Sequence, residues 1–229
     1  MYARDVQGRT LTFGVSGKLV RNSLIMFDRE TGSLWSHLTG EAISGPMTGL
    51  RLTVVPSVQT TWGLWHKDHA RAQILAGSEG ELSDPYDLYF QSGSAGIEGR
   101  KHQDDRLPAK ERVIGLRLSG EVKAYAFSSL ARDRVVDDVV GGIPLVIVFD
   151  GSSESGAAYR RDPNGPALDF QPGGRPMSMI DTQSGSEWDG LTGAATSGSS
   201  IGAVLVAVPV TYSFWFGWAD FYPKTAVYR

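Results

Sequence analysis

"GSLWSHLTGEAISG", from Gly32 to Gly45, returns as "GSEWDGLTGAATSG", from Gly185 to Gly198, with nine of the fourteen positions identical. Ordinary residue usage would give about one match by chance. Trp35 therefore pairs with Trp188 at an offset of 153 residues, and the same offset pairs Pro56 with Pro209, Trp62 with Trp215 and Trp65 with Trp218. Upstream, "YARDVQGRTLTF" from Tyr2 pairs with "YRRDPNGPALDF" from Tyr159 at an offset of 157. The two offsets differ by the length of one loop, which is longer in "GVSGKLVRNSLIM" and shorter in "QPGGRPMSM". Self-similarity at a fixed spacing is the mark of a repeated structural unit.

Each copy opens with an Arg-Asp-x-x-Gly hairpin and continues into a strand, "LIMFD" or "MSMID". A turn, "RETGS" or "TQSGS", leads to the tryptophan strand. A β-rich segment closed by proline follows, "RLTVVPSV" or "VLVAVPVT". Then "TTWGLWHKDHA" and "SFWFGWADFYP" predict short helices with tryptophans at i and i+3, which share one face. Repetition of these tryptophans predicts that each pair is the main core contact of its helix. A brief strand, "AQILA" or "TAVYR", ends each copy.

The second copy has a preamble. "RVIGLRLSGEVKAYAF" reads as two strands about Ser119-Gly120, "SSLARDR" as a helix capped by serine, and "VVDDVVGGIPLVIVFD" as a Gly-Gly turn with a buried strand. The first copy has no equivalent, so the pattern predicts a truncated chain lacking an N-terminal lobe of about 45 residues. An apolar face left uncovered from Tyr2 to Phe13 then predicts self-association. The organisation read from this is repeat one over 1–77, a polar, glycine-rich connector over 78–112, and repeat two over 113–229, packed together as one domain. The fold class is α+β and β-rich, built from two pseudo-symmetric repeats of short strands with small helices, the first incomplete.

Composition narrows the function. The 229 residues carry a formal net charge of −3, which provides no strong field for nucleic acid or an anionic membrane. There is no cysteine, which excludes disulfides, thiolate metal sites and cysteine nucleophiles from these residues. No apolar run approaches the roughly 20 residues of a membrane span. Phosphate-loop, nucleophile-elbow and Walker patterns are absent, and "GVSGK" has the wrong spacing for a phosphate loop.

Individual residues offer chemistry with a structural alternative beside each. His66 and His69 are spaced as a metal pair but sit on the tryptophan helix, and their second-copy counterparts are Ala219 and Tyr222. His37 and His102 are isolated. Asp133, Asp137 and Asp138 could act as acids or bases, or cap and solvate a helix and turn. The tryptophan pairs could stack sugars or bases. Asp28 and Arg29 open a turn, and the longer first-copy loop brings Ser16, Asn22 and Ser23 near it in sequence. These five residues form the candidate polar site, because functional divergence concentrates in loops. No catalytic, cofactor or metal residue is assigned, and no cofactor is expected.

"GRTLTFGVSGKLVRNSLIMFDRETGSLWSHLTGEAISGP", "DPYDLYFQSGSAGIEGRK", "GEVKAYAFSSLARDRVVDDVVGGIPLVIVFD" and "GSEWDGLTG" together resemble a bacterial and archaeal family known as domain of unknown function 3179. The resemblance spans essentially the whole chain. It implies that complete members carry a further N-terminal lobe with a Trp-His-Glu segment, a Gly-Gly-x-Pro strand and a Cys-Pro-x-Cys-Gly motif. By the repeat, Asp133 and Arg134 occupy the His-Glu places, and Asp150 and Ser153 the cysteine places. The family implies no established activity. Three functions stay open: a redox or metal-linked protein whose cysteines lie upstream, a non-enzymatic module binding a small polar or carbohydrate ligand between the repeats, and a scaffold. No compartment is indicated by these residues.

Overall fold

The computed structural model describes residues 1–74, 86–97, 103–162 and 165–229. It is β-rich with a few short helices, an α+β arrangement. Strands β1 (Asp5–Val6) and β2 (Arg9–Thr10) make a small hairpin, and β3 (Phe13–Val20), β4 (Ser23–Asp28), β5 (Leu34–Ser36) and β6 (Ala42–Ser44) make an antiparallel meander in chain order. Helices α1 (Trp62–Asp68) and α2 (Asp87–Gln91) come next. Then follow the hairpin β7 (Arg112–Leu118) and β8 (Glu121–Ala126), helix α3 (Phe127–Asp133), and strands β9 (Val135–Val140), β10 (Ile143–Asp150) and β11 (Ser155–Arg160). The chain ends through β12 (Phe170–Pro172), β13 (Ser178–Asp181), β14 (Glu187–Asp189), β15 (Val206–Ala207), β16 (Thr211–Phe214), α4 (Trp215–Phe221) and β17 (Ala226–Tyr228).

Two further four-stranded sheets run β15-β11-β10-β9 and β16-β7-β8-β17, the last strand lying parallel to β8. The three strands β12-β13-β14 form their own antiparallel sheet. The turns follow the local chemistry. Ser119 and Gly120 at φ 48° and 86° join β7 to β8, and Gly141 and Gly142 at φ 58° and 75° join β9 to β10. These are the positive-φ pairs that two-residue hairpins require.

The main core lies between the β10 sheet, the β7 sheet and α3, around Ile114, Leu116, Tyr125, Leu130, Leu145 and Ile147. Trp188 centres a second cluster with Met179, Tyr159 and Val148, onto which Val58, Leu64 and Trp65 of the first copy pack. Trp35 centres a third cluster with Val6, Leu11, Ala42 and Leu52. Val6 and Leu11 are thus interior, so much of the apolar surface from Tyr2 to Phe13 is turned onto Trp35.

Several local expectations need correction. Helix α3 starts at Phe127 with Ala126 at its N-cap and no side-chain cap, and the Ser128 amide donates instead to Glu111 Oε1 at 2.9 Å. Within "RLTVVPSV" and "VLVAVPVT" the strands are the two-residue β15 and the first residue of β16, Thr211. Elsewhere the pairing is through single bridges such as Tyr2 with Val54, because the partner segments are too short for a ladder. Ala72–Ile74 show no strand, and the rest of "AQILA" lies outside the described residues, as does His102.

Candidate binding cleft

The fate of Asp28 is decided by its turn. Its carboxylate accepts from the Trp35 indole Nε1–H at 2.8 Å, the Thr31 amide at 2.6 Å and the Thr31 hydroxyl at 2.9 Å. Asp181 accepts the same set from Trp188 at 2.8 Å and from the Ser184 amide and hydroxyl at 2.6 and 2.8 Å. The correspondence extends outward. Ser33 Oγ accepts from the Met47 amide and Ser186 Oγ from the Ser200 amide, both at 3.1 Å. Phe13 stands edge-on to Trp35 and Phe170 edge-on to Trp188, each at an interplanar angle of 83°. Gly45 and Gly198, at positive φ, leave no room for a Cβ against Ser33 and Ser186. Burial works against ionising Asp28 and Asp181. The indole, hydroxyl and amide donors outweigh it and hold both carboxyls below the usual range. Both are buried structural groups.

The other candidate polar residues separate. Ser16 Oγ donates to the Ile25 carbonyl at 2.6 Å within the β3–β4 hairpin, and Arg29 lies over the Phe27 ring at 5.6 Å. Asn22 and Ser23, by contrast, line a cleft of about 350 Å³. Leu24, His37, Leu38 and Gln59 complete its first-copy wall, and Arg112, Phe127 and residues 212–214, 216 and 217 form the facing wall. The strand β16 pairs with β7 so that Phe214 lies opposite Arg112. Phe214 and Phe216 stack with centroids 5.9 Å apart and planes 17° apart, and Arg112 covers the Phe127 ring at 5.4 Å. The Tyr212 hydroxyl accepts from the Gln59 amide at 3.2 Å and donates to the Gly156 carbonyl at 2.5 Å. Burial pushes its pKa up to about 12, with the Gln59 amide pulling the other way, so the hydroxyl keeps its proton.

Gln59 and Tyr212 are themselves 153 residues apart. A second cleft of about 310 Å³ lies close by. It joins Leu191 and Thr192 of the second copy to Val58 and Trp65 of the first. Leu191 and Leu38, one in each cleft, are separated by the same offset.

The histidines and aspartates go elsewhere. His69 stacks on Trp65 at 3.7 Å with the planes 2° apart, and His66 packs on Trp62 at 5.1 Å. Among the described residues no three of His, Asp and Glu converge as a metal ligand set. Asp137 and Asp138 are not at a helix cap but in β9, where adjacent side chains face opposite ways. Burial pushes Asp137 up, while Asp138, despite its own burial, is held down by Lys123 and the Tyr125 hydroxyl. Asp133 accepts from the Tyr228 hydroxyl at 2.8 Å, and Asp150 accepts from the hydroxyls of Ser152 and Ser153.

A family model described as "Protein of unknown function (DUF3179)" matches residues 1–225. The chain belongs to this family. No curated protein and no solved structure matches it. For this DUF3179 member, no helix of the described residues is long and apolar enough to cross a membrane. The cleft residues that the sequence reading passed over are Arg112, Phe127, Tyr212, Phe214 and Phe216. A signal for two of them was present: Phe214 and Phe216 stand where the first copy has Thr61 and Gly63. Two large rings on one side of an otherwise repeated helix entry mark the place where the copies diverge.

Proposed function

We propose that this chain is a non-enzymatic binding module that holds a small ligand in the cleft between the segments 1–77 and 113–229. The supporting observation is the cleft itself. Its volume of about 350 Å³ falls in the range of small-molecule sites, and its walls combine aromatic rings with a few polar groups, the usual composition of such sites. Six of its lining residues come from the first copy, among them Asn22 and Ser23 of the long loop, so ligand binding would join the two halves. The reading of the chain as two repeats of one unit supports the same view, because it makes the cleft a junction rather than a surface dimple.

The test is a thermal-shift screen of small polar metabolites and simple sugars, followed by ligand-observed NMR on the hits. A ligand present at 100 times its Kd should raise stability by about 2.7 kcal/mol. Ser213→Phe, which fills the cleft from β16, should abolish the shift while keeping a cooperative melt. Hits that survive Ser213→Phe, or a screen without hits, would overturn the proposal.

A further inference from the structure

We propose that the cleft selects a small organic anion with a flat apolar body, its carboxylate gripped by Arg112. This rests on the cleft being a ligand site and adds the ligand's class. Among the described residues lining it, Arg112 is the formal cation, and none is Asp or Glu. An anion therefore enters without meeting like charge from the walls, and a cation meets repulsion from Arg112.

The guanidinium is also placed for the task. Arg112 lies across the strand pair from Phe214, and its guanidinium stacks on Phe127, which restricts its rotation. A guanidinium so held presents its forked donors to a carboxylate, while Phe214, stacked on the buried Phe216, lines the cleft beside it for the body of the ligand. Among the described residues Arg112 has one acidic partner, Glu154, and that ion pair is open to water, with 44% and 42% of the two side chains exposed. Exposed pairs of this kind contribute only about 0–1 kcal/mol. A ligand carboxylate inside the cleft can displace Glu154 at little cost and gain a less hydrated contact. The second cleft, lined by Val58, Trp65, Tyr159, Leu191, Thr192 and neighbours, has no Arg, Lys, Asp or Glu side chain in its walls among the described residues.

Benzoate, neutral benzamide and cationic benzylamine are matched probes, titrated by ligand-observed NMR at low and high salt. Benzoate should bind most tightly, and more weakly as salt rises. Arg112→Gln should weaken benzoate by about tenfold or more and leave benzamide nearly unchanged. Glu154→Gln should tighten benzoate by a few-fold by removing the competitor. Benzamide or benzylamine equal to benzoate, with all three lost in Ser213→Phe, would overturn the anion assignment and leave the cleft standing. Benzoate binding unchanged in Arg112→Gln, or absent at millimolar concentration, would also overturn it, while the wider screen judges the cleft separately. A Glu154→Gln variant that binds benzoate more weakly would count against the displacement of Glu154.

Discussion

Helices α1 and α4 are both seven residues long and have tryptophan at their first and fourth positions, yet they do opposite things with them. In α4, Trp215 and Trp218 are fully buried. Trp218 lies against Gly115, where a Cβ would sit 2.3 Å from its ring, and its indole donates to Thr225 Oγ1 at 3.1 Å. Trp215 donates to the Asp104 carbonyl at 3.0 Å and is covered by the Arg106 guanidinium at 5.2 Å. In α1, Trp62 is 41% exposed, with His66 as its ring neighbour, and Trp65 is only half-buried. The expectation that each pair is the main core contact of its helix therefore holds for α4 and not for Trp62. The two helices share their tryptophan spacing and differ in what lies across from it. The hairpin β7–β8 covers α4, and residues 104–106 fasten over it; α1 turns Leu64 and Trp65 onto the Trp188 cluster and leaves Trp62 open to solvent. A repeated sequence reproduces local structure, but burial needs a partner surface.

The largest expected effect is on α4. Trp218→Ala should cost about 3–5 kcal/mol, the range for removing a fully packed large aromatic, and chemical denaturation would read it. Trp62→Ala should change stability by less than about 0.5 kcal/mol. Equal losses at the two sites would break the comparison and place a cover over α1. Gly115→Ala should follow, at about 1–3 kcal/mol, because the added methyl meets the Trp218 ring. Thermal melts of Gly115→Ala and Gly63→Ala sharpen the contrast, since a Cβ on Gly63 of α1 meets nothing within 4 Å.

Where the two copies have the same bonds, they should behave alike. Asp28→Ala and Asp181→Ala each leave an interior indole N–H without its acceptor, at a cost of about 1–3 kcal/mol apiece. A large difference between them would show that the matching turns carry unequal load. The sign of the pH dependence follows from the depressed carboxyls. The unfolded chain, with an aspartate pKa near about 3.9, takes up these protons first, so the contribution is present above that value. It is lost as the pH falls through the lower folded pKa. Denaturation midpoints between pH 2 and 6 (an interval chosen to bracket about 3.9) should show a flatter acid limb in the Asp28→Asn, Asp181→Asn double variant. The smallest effect is optical. Trp62 should account for most of the iodide-quenchable fluorescence, so that Trp62→Phe leaves a bluer, poorly quenched spectrum. Quenching unchanged by that substitution would mean that Trp62 is not open to solvent.

The sequence alone determined the repeated turn. Asp, Thr or Ser three residues on, Gly next, and Trp seven residues after the Asp specify a closed set of hydrogen bonds over eight residues, and both copies form it because every partner is local. The strands LIMFD and MSMID, the hairpin turns at Ser119-Gly120 and Gly141-Gly142, and the two short helices were legible for the same reason. Ser16, Asn22, Ser23, Asp28 and Arg29 are close in the chain, but strand alternation and the turn send them to different surroundings, and only Asn22 and Ser23 reach the cleft. Tertiary structure alone decided the rest: that Phe214 lies beside Arg112, that Gln59 meets Tyr212 across 153 residues, and that one tryptophan pair is interior while Trp62 faces water. Those outcomes depend on contacts between distant segments. No local pattern of residues encodes which surface will be opposite.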